Sequence, residues 1–144
     1  MTADIVAVDC DLLRLHAWGS TRGEVAYNVS LDALATMLIA EPPGQLLFEI
    51  ASPVFYGKTR AEHYHKARWA LHNTACAGIL STMFPAMLVA PSSAWTESHP
   101  EKKRHAMAGA TARNHDLREC QAMLAFYRRN PAKWVPFHRF LEEL

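Results

Sequence analysis

The first thirty residues contain three short segments with the residue pattern of β-strands. "DIVAVDC" (4–10) is rich in β-branched residues, whereas "LLRLHAWG" (12–19) and "EVAYNV" (24–29) alternate apolar with polar residues. A period of two is typical of strands, and the segment "STRG" (20–23) has the composition of a turn. This region therefore predicts three strands joined by hairpins.

Residues 30–90 alternate between segments with apolar residues at helical spacing and short apolar runs of strand length. "SLDALATMLIAE" (30–41) has apolar residues at helical spacing behind Ser30, a favourable N-cap. "QLLFEI" (45–50) and "AMLVA" (86–90) are apolar runs of strand length. The segment between them (59–84) predicts a long helix that uses apolar positions 67, 70, 71, 75, 79 and 80.

The C-terminal third predicts helices only. Segment 98–112 opens with Ser98 and Glu101 at capping-box spacing, segment 114–129 follows, and "VPFHRFLEEL" makes a short last helix. Hairpins give antiparallel strands, and strands reached through helices are parallel to their neighbours. We therefore expect one α/β domain over residues 1–144, with a mixed five-stranded sheet (three antiparallel strands, then parallel strands) and helices on both faces.

Composition narrows the class of protein. Of 144 residues, 50% are hydrophobic and 20% charged, which is ordinary for a globular domain. No run of about 18 apolar residues is present, so we expect no membrane span, and the N-terminus lacks the pattern of a signal peptide. The three cysteines, Cys10, Cys76 and Cys120, form no CxxC pair, which favours a reducing compartment such as the cytoplasm.

Charge is distributed unevenly along the chain. Residues 1–57 hold two basic and seven acidic residues, whereas the remainder holds thirteen basic and seven acidic residues. The net charges are therefore −5 and +6. This asymmetry permits a polyanionic partner without requiring one.

Four acids fall where the predicted fold would bring them together. Asp9 and Glu49 end the first and fourth predicted strands, and the ends of neighbouring strands in an α/β sheet face a common crevice. Asp116 and Glu119 share one face of a predicted helix. Four carboxylates suit Mg²⁺ or Mn²⁺, and two such ions about 4 Å apart can hold a phosphodiester. Taken singly, Asp9 also fits a turn residue, and the helical pair also fits a solvated surface.

The order of these acids and the elements between them resemble the RuvC family of Holliday junction resolvases, within the RNase H-like superfamily. "IVAVD" is similar to the first strand of the family with its catalytic Asp, and "LLFEIASPVFYGKTRAEHYHKARWA" to the fourth strand, its catalytic Glu, an aromatic loop and a long helix. "PEKKRHAMAGATARNHDLRECQAM" is similar to the basic helix and the final helix. The resemblance extends over nearly the whole chain.

The resemblance implies a structure-selective DNA endonuclease that resolves four-way junctions by symmetric nicking. Asp9, Glu49, Asp116 and Glu119 would hold two Mg²⁺ (or Mn²⁺) ions, and Lys102, with Lys103 as the alternative, would stabilise charge on the scissile phosphate. The segment "EKKRH" (101–105) also fits a solvated helix face. A twofold substrate implies a homodimer. The resemblance also implies contacts to branched DNA from Phe55, Tyr56, Lys58, Arg60, Lys66, Lys103 and Arg104, with the aromatic residues stacking on unpaired bases.

Two departures from the family pattern leave alternatives open. The family generally has a Gly-containing turn after its first Asp, but this chain has "DCDLL", in which Asp11 is either an extra carboxylate or a hairpin residue. The last acid is Glu119, where the family generally has Asp. These differences suggest a divergent branch, in a bacterial cell or a phage-infected host. The alternatives are a broader flap or branch nuclease, and a module that binds nucleic acid without cutting.

Overall fold

A mixed β-sheet forms the centre of the domain. The computed structural model describes residues 5–11, 14–19, 27–51, 59–91 and 115–144. Within these ranges the sheet has six strands in the order β3-β2-β1-β4-β5-β6. Their bounds are Ile5–Asp11 (β1), Arg14–Gly19 (β2), Tyr27–Ser30 (β3), Gln45–Ile50 (β4), Leu88–Pro91 (β5) and Val135–Pro136 (β6). The central pairs β1–β4 and β4–β5 are parallel, whereas β1–β2, β2–β3 and β5–β6 are antiparallel.

Helices cover the sheet, and two of them begin at residues that cap them. Across the same ranges the helices are Leu31–Ala40 (α1), Arg60–Met83 (α2), His115–Arg129 (α3) and Phe137–Glu142 (α4), with a 3₁₀ turn at Pro131–Lys133. The Ser30 hydroxyl accepts a hydrogen bond from the Ala33 N–H at 3.3 Å, and the Thr59 hydroxyl accepts one from Glu62 at 3.1 Å. These bonds satisfy N–H groups that lack partners within the helix. The predicted Ser30 cap is confirmed.

The strands alternate between two apolar cores, one on each face of the sheet. Val6 and Val8 of β1 belong to the core that α1, α2 and α4 cover, whereas Ala7 belongs to the core that α3 covers. The same alternation holds in β4, where Leu46, Phe48 and Ile50 lie on the first face and Leu47 on the second. Because successive strand residues point to opposite faces, both central strands are buried on both sides. The expected α/β arrangement with helices on both faces is present.

The prediction of five strands missed one, since Val135 and Pro136 pair with Val89 and Leu88 and form a sixth strand. The predicted last helix consequently begins at Phe137 instead of residue 135. The predicted helix over residues 98–112 and the turn at 20–23 lie outside the described residues. In the part of the chain that is described, no helix is long and apolar enough to cross a membrane.

The apolar positions of the long helix α2 fit either burial in the core or a dimer interface, and the structure shows which of them are buried. Its buried residues are Asn73, Cys76, Ala77 and Leu80, so of the six predicted apolar positions only Leu80 is buried. Leu71 is 71% exposed and Ile79 is 49% exposed. The helix has apolar residues on two faces, and the polar Asn73 occupies the first position of the core-facing stripe. The spacing of apolar residues alone therefore does not identify the buried face of this helix.

Candidate functional site

Two of the four predicted acids occupy equivalent positions on neighbouring strands. In the parallel pair of β1 and β4, Val8 lies opposite Phe48, and this is the last pair in their register. Asp9 and Glu49 are the next residues of the two strands. Neighbouring strands lie about 4.8 Å apart. The backbone therefore brings Asp9 and Glu49 side by side at the carboxyl ends of β1 and β4.

Glu49 is a buried carboxyl residue, with 5% of its surface exposed. The alternation of β4 places it on the α3 side of the sheet, together with Leu47 and opposite to Phe48 and Ile50. By the same alternation, position 9 falls on the side of Ala7, which is also the α3 side. Because burying a carboxylate is costly unless polar groups or a metal compensate it, Glu49 is an unusual residue for a strand interior.

Helix α3 covers β1, the strand that carries Asp9. It packs on β1 and β2, and the Cys120 thiol donates a hydrogen bond to the carbonyl oxygen of Ala7 at 3.6 Å. Ala7 is two residues before Asp9 in the strand, and Asp116 is four residues, or about one turn, before Cys120 in the helix. The structure therefore places the backbones of Asp116 and Glu119 at the start of the helix that covers this part of the sheet.

The side chain of Asn73, on the opposite face of the sheet, holds the end of β4. Asn73 is fully buried in α2. Its Nδ2 donates to the Glu49 carbonyl oxygen at 3.0 Å, and its Oδ1 accepts from the Ala51 N–H at 2.7 Å. Both hydrogen bonds fix the main chain on either side of Ile50. The sequence prediction missed Asn73, although its spacing to Cys76, Ala77 and Leu80 is the signal that would have identified it as a buried polar residue.

Two of the predicted DNA-contacting residues lie in the first half of α2. Arg60 is exposed and Lys66 is half-buried. Lys66 precedes Asn73 by seven residues, or about 10 Å of helix, whereas Arg60 precedes it by about 20 Å. Lys66 is therefore the nearer of the two to the end of β4. The remaining predicted contacts and the predicted phosphate-stabilising lysine lie outside the described residues: Phe55, Tyr56, Lys58, Lys102, Lys103 and Arg104.

Of the four predicted metal ligands, the structure describes the side chain of Glu49, and it describes Asp9, Asp116 and Glu119 by their backbone positions. Among the described side chains, no group of three or more His, Cys, Asp and Glu residues is arranged to hold a metal ion. Glu49 itself fits a magnesium site by its chemistry, since a carboxylate is a hard oxygen ligand of the kind that Mg²⁺ and Mn²⁺ prefer.

Known proteins provide no further guide to this site. A comparison of the chain with protein-family profiles, with curated proteins and with solved structures finds no match. The functional interpretation therefore depends on the residues and on the geometry of the strand ends.

Proposed function

We propose that the protein is a Mg²⁺-dependent, structure-selective DNA endonuclease with an RNase H-like fold, and that it resolves four-way junctions by symmetric nicking in the manner of the RuvC family. The observation that carries this proposal is the buried Glu49 at the carboxyl end of β4, beside the position of Asp9 on β1. Acids at adjacent ends of parallel strands, directly after apolar residues such as Val8 and Phe48, indicate a binding site in the crevice beyond those ends.

The burial pattern of α3 supports the addition of its two acids to this site. Cys120 and Met123 are buried against the sheet, with 1% and 0% of their surfaces exposed. Position 116 is four residues before Cys120, and position 119 is four residues before Met123, so each continues the sheet-facing side of the helix. This placement favours a role for Asp116 and Glu119 at the sheet over a solvated rim.

In the proposed site, Asp9, Glu49, Asp116 and Glu119 would hold two Mg²⁺ (or Mn²⁺) ions. When bound, the ions would supply an activated water for in-line attack and would stabilise the leaving 3′ oxygen, so that the product carries a 5′ phosphate. The low exposure of Glu49 keeps bulk water from its carboxylate, which strengthens its attraction to a cation. Lys102 would stabilise the charge that develops on the scissile phosphate.

The basic N-terminal half of α2 would bind the phosphate backbone of the junction. Arg60, Lys66 and Arg68 lie within three turns of this helix, with Glu62 as the accompanying acid. Contacts from Lys58, Lys103 and Arg104 would extend this surface, and Phe55 and Tyr56 would stack on unpaired bases at the centre of the junction. Such contacts give affinity with little sequence information.

We expect Lys66→Ala to weaken junction binding and to reduce its salt dependence. Each lost phosphate contact reduces the magnitude of the slope of log K against log salt by about 0.9, so loss of Lys66 from both subunits of a dimer would reduce it by about 1.8. Fluorescence anisotropy with a labelled four-way junction in EDTA, at several salt concentrations, measures this slope. Lys133→Ala is the matched control, since Lys133 is exposed in the 3₁₀ turn and lies outside the proposed surface. If the two variants have the same slope of log K against log salt, Lys66 does not contact the DNA.

A cleavage assay distinguishes this proposal from its alternatives. The protein is incubated with a synthetic four-way junction, a flap and a linear duplex, in Mg²⁺ and in EDTA. Symmetric nicking of the junction alone, in Mg²⁺, is the expected result. Equal cutting of flaps would favour a broader branch nuclease. Tight binding without cleavage of any substrate would favour a nucleic-acid-binding module and would contradict both nuclease functions.

A second copy of the chain is the partner that symmetric nicking requires, because two strands of the junction are cut. The outer face of α2 offers a surface for it. This face consists of exposed apolar residues turned away from the core, namely Tyr64, Leu71, Ala75 and Ile79. Residues 71–83 carry no charge, whereas residues 60–68 hold three basic residues. Antiparallel packing centred on the small Ala75 would place Leu71 against Ile79 of the partner subunit and would separate the two basic halves.

We expect Leu71→Glu to convert a dimer into a monomer, because the charge would be buried opposite an uncharged apolar segment. Sedimentation velocity over a range of protein concentrations measures this change. Ile39→Glu is the matched control, since Ile39 is a 59% exposed apolar residue on α1. A wild-type protein that stays monomeric, or a Leu71→Glu variant that stays dimeric, would contradict this interface.

Such an enzyme would act on DNA in the cytoplasm of a bacterial cell or of a phage-infected host. In the described part of the chain, Cys76 and Cys120 are buried and are not joined in a disulfide, which is compatible with that reducing compartment.

A further inference from the structure

The fully buried Asn73 begins the core-facing side of α2. It is followed at helical spacing by Cys76, Ala77 and Leu80, which all belong to the same core. Burying an amide in such surroundings costs several kcal/mol when its hydrogen bonds are not replaced. Here both ends of the amide bind backbone groups of the end of β4. The side chain therefore has a definite partner, and that partner is the strand segment that carries Glu49.

The two backbone groups that Asn73 binds are those that a neighbouring strand would bind. The Glu49 carbonyl and the Ala51 N–H are two residues apart, and in a parallel ladder one residue of the adjacent strand donates to such a carbonyl and accepts from such an N–H. The register of β1 with β4 ends at Val8 and Phe48. The Asn73 amide thus continues the hydrogen bonding of β4 beyond the last residue that β1 pairs with.

We propose that Asn73 is a positioning residue, which fixes the main chain of Glu49 so that the carboxylate on the other face of the sheet is held ready for a divalent cation. This inference rests on the proposed function. The main chain is held at the Glu49 carbonyl and again at the Ala51 N–H, so the strand end cannot rotate about its axis. Metal-binding and catalytic groups have to be held within about 0.5 Å of their productive positions by such supporting contacts.

The chemistry of the amide explains why this position requires asparagine. Aspartate has the same shape and can accept from the Ala51 N–H, but as a carboxylate it has no proton to donate to the Glu49 carbonyl. Leucine has a similar volume and makes neither bond. The series from asparagine to aspartate to leucine therefore removes the support of the Glu49 main chain in two steps.

The test measures cation binding directly, without cleavage. Mn²⁺ binding to the full-length protein is followed by electron paramagnetic resonance, and the melting temperature is recorded without metal. We expect Asn73→Leu to weaken Mn²⁺ binding about 10- to 100-fold, as is typical for residues that orient a metal ligand. Asn73→Asp should show a smaller loss, and junction binding in EDTA should not change for either variant.

Leu80→Ala is the control for a merely structural role, because Leu80 lies on the same core face two turns further along α2 and does not bind β4 through hydrogen bonds. It should lower the melting temperature and leave the Mn²⁺ affinity of the folded protein unchanged. The positioning role is overturned if both variants bind Mn²⁺ with wild-type affinity, or if both lose the same amount of Mn²⁺ affinity. Neither result contradicts the proposed nuclease.

Failure of the proposed function gives a different result. If the wild-type protein binds no Mn²⁺, or if Glu49→Gln binds it as tightly as the wild type, Glu49 is not a metal ligand. The proposed site and the positioning role of Asn73 are then both wrong.

Discussion

Glu49→Gln abolishes cleavage of the four-way junction and leaves junction binding intact: this is the largest effect that we expect from a single substitution. Glutamine keeps the shape of the side chain but removes its negative charge, and an amide is a much weaker ligand for Mg²⁺ than a carboxylate. A loss of about 1,000-fold in the cleavage rate corresponds to about 4 kcal/mol of lost transition-state stabilisation. Single-turnover cleavage in Mg²⁺, with anisotropy in EDTA for binding, measures both quantities.

We expect Glu49→Gln not to lower the stability of the folded state. Glu49 is 5% exposed, and a neutral amide is cheaper to bury than a charged carboxylate. The melting temperature without metal should therefore be equal to or above that of the wild type. Glu41→Gln is the matched control, because Glu41 is an exposed glutamate at the end of α1. Full cleavage activity in Glu49→Gln would show that the active site lies elsewhere.

Leu80→Ala lowers the free energy of unfolding by about 2–5 kcal/mol, the second large effect that we expect. Leu80 is fully buried between α2 and the sheet, so its truncation removes apolar contacts and leaves a cavity. Leu71→Ala is the matched control on the same helix, because Leu71 is 71% exposed and its truncation should change stability by less than about 0.5 kcal/mol.

Urea denaturation gives both values, provided that the protein concentration is low enough for sedimentation to show a monomer. Under those conditions the outer face of α2 contributes nothing through a partner subunit. Similar losses for the two leucines would mean that the helix buries both faces, and a larger loss for Leu71→Ala would mean that the core lies on the other side of α2.

The sequence predicted those parts of the fold that depend on local patterns. A run of β-branched residues and a period of two identified β1 and β2, and the apolar run at 45–50 correctly predicted a buried β4 with Glu49 inside it. The N-cap at Ser30 was predictable because the capping hydrogen bond spans three residues. In each case the residue pattern or the hydrogen bond that determines the structure lies within one short segment of the chain.

The parts that were not predicted depend on contacts between distant segments. The two-residue strand β6 is too short to show a pattern, and it forms because Val135 reaches Val89 across the sheet. The face that α2 buries was missed because its polar Asn73 binds a strand more than twenty residues earlier in the chain. Asn73 was therefore not predicted as a supporting residue of the candidate site, because asparagine in a helix usually lies at the surface.

In the described part of the chain, both edges of the sheet are short strands. One edge is β6, which has only two residues, and one of them is Pro136, which has no N–H to offer. The other edge is β3, which has four residues and continues directly into α1. Short edges that contain proline discourage the strand-to-strand addition that leads to aggregation. If the chain forms the proposed homodimer, the edges of the described sheet therefore favour side-chain packing between helices over strand-to-strand addition.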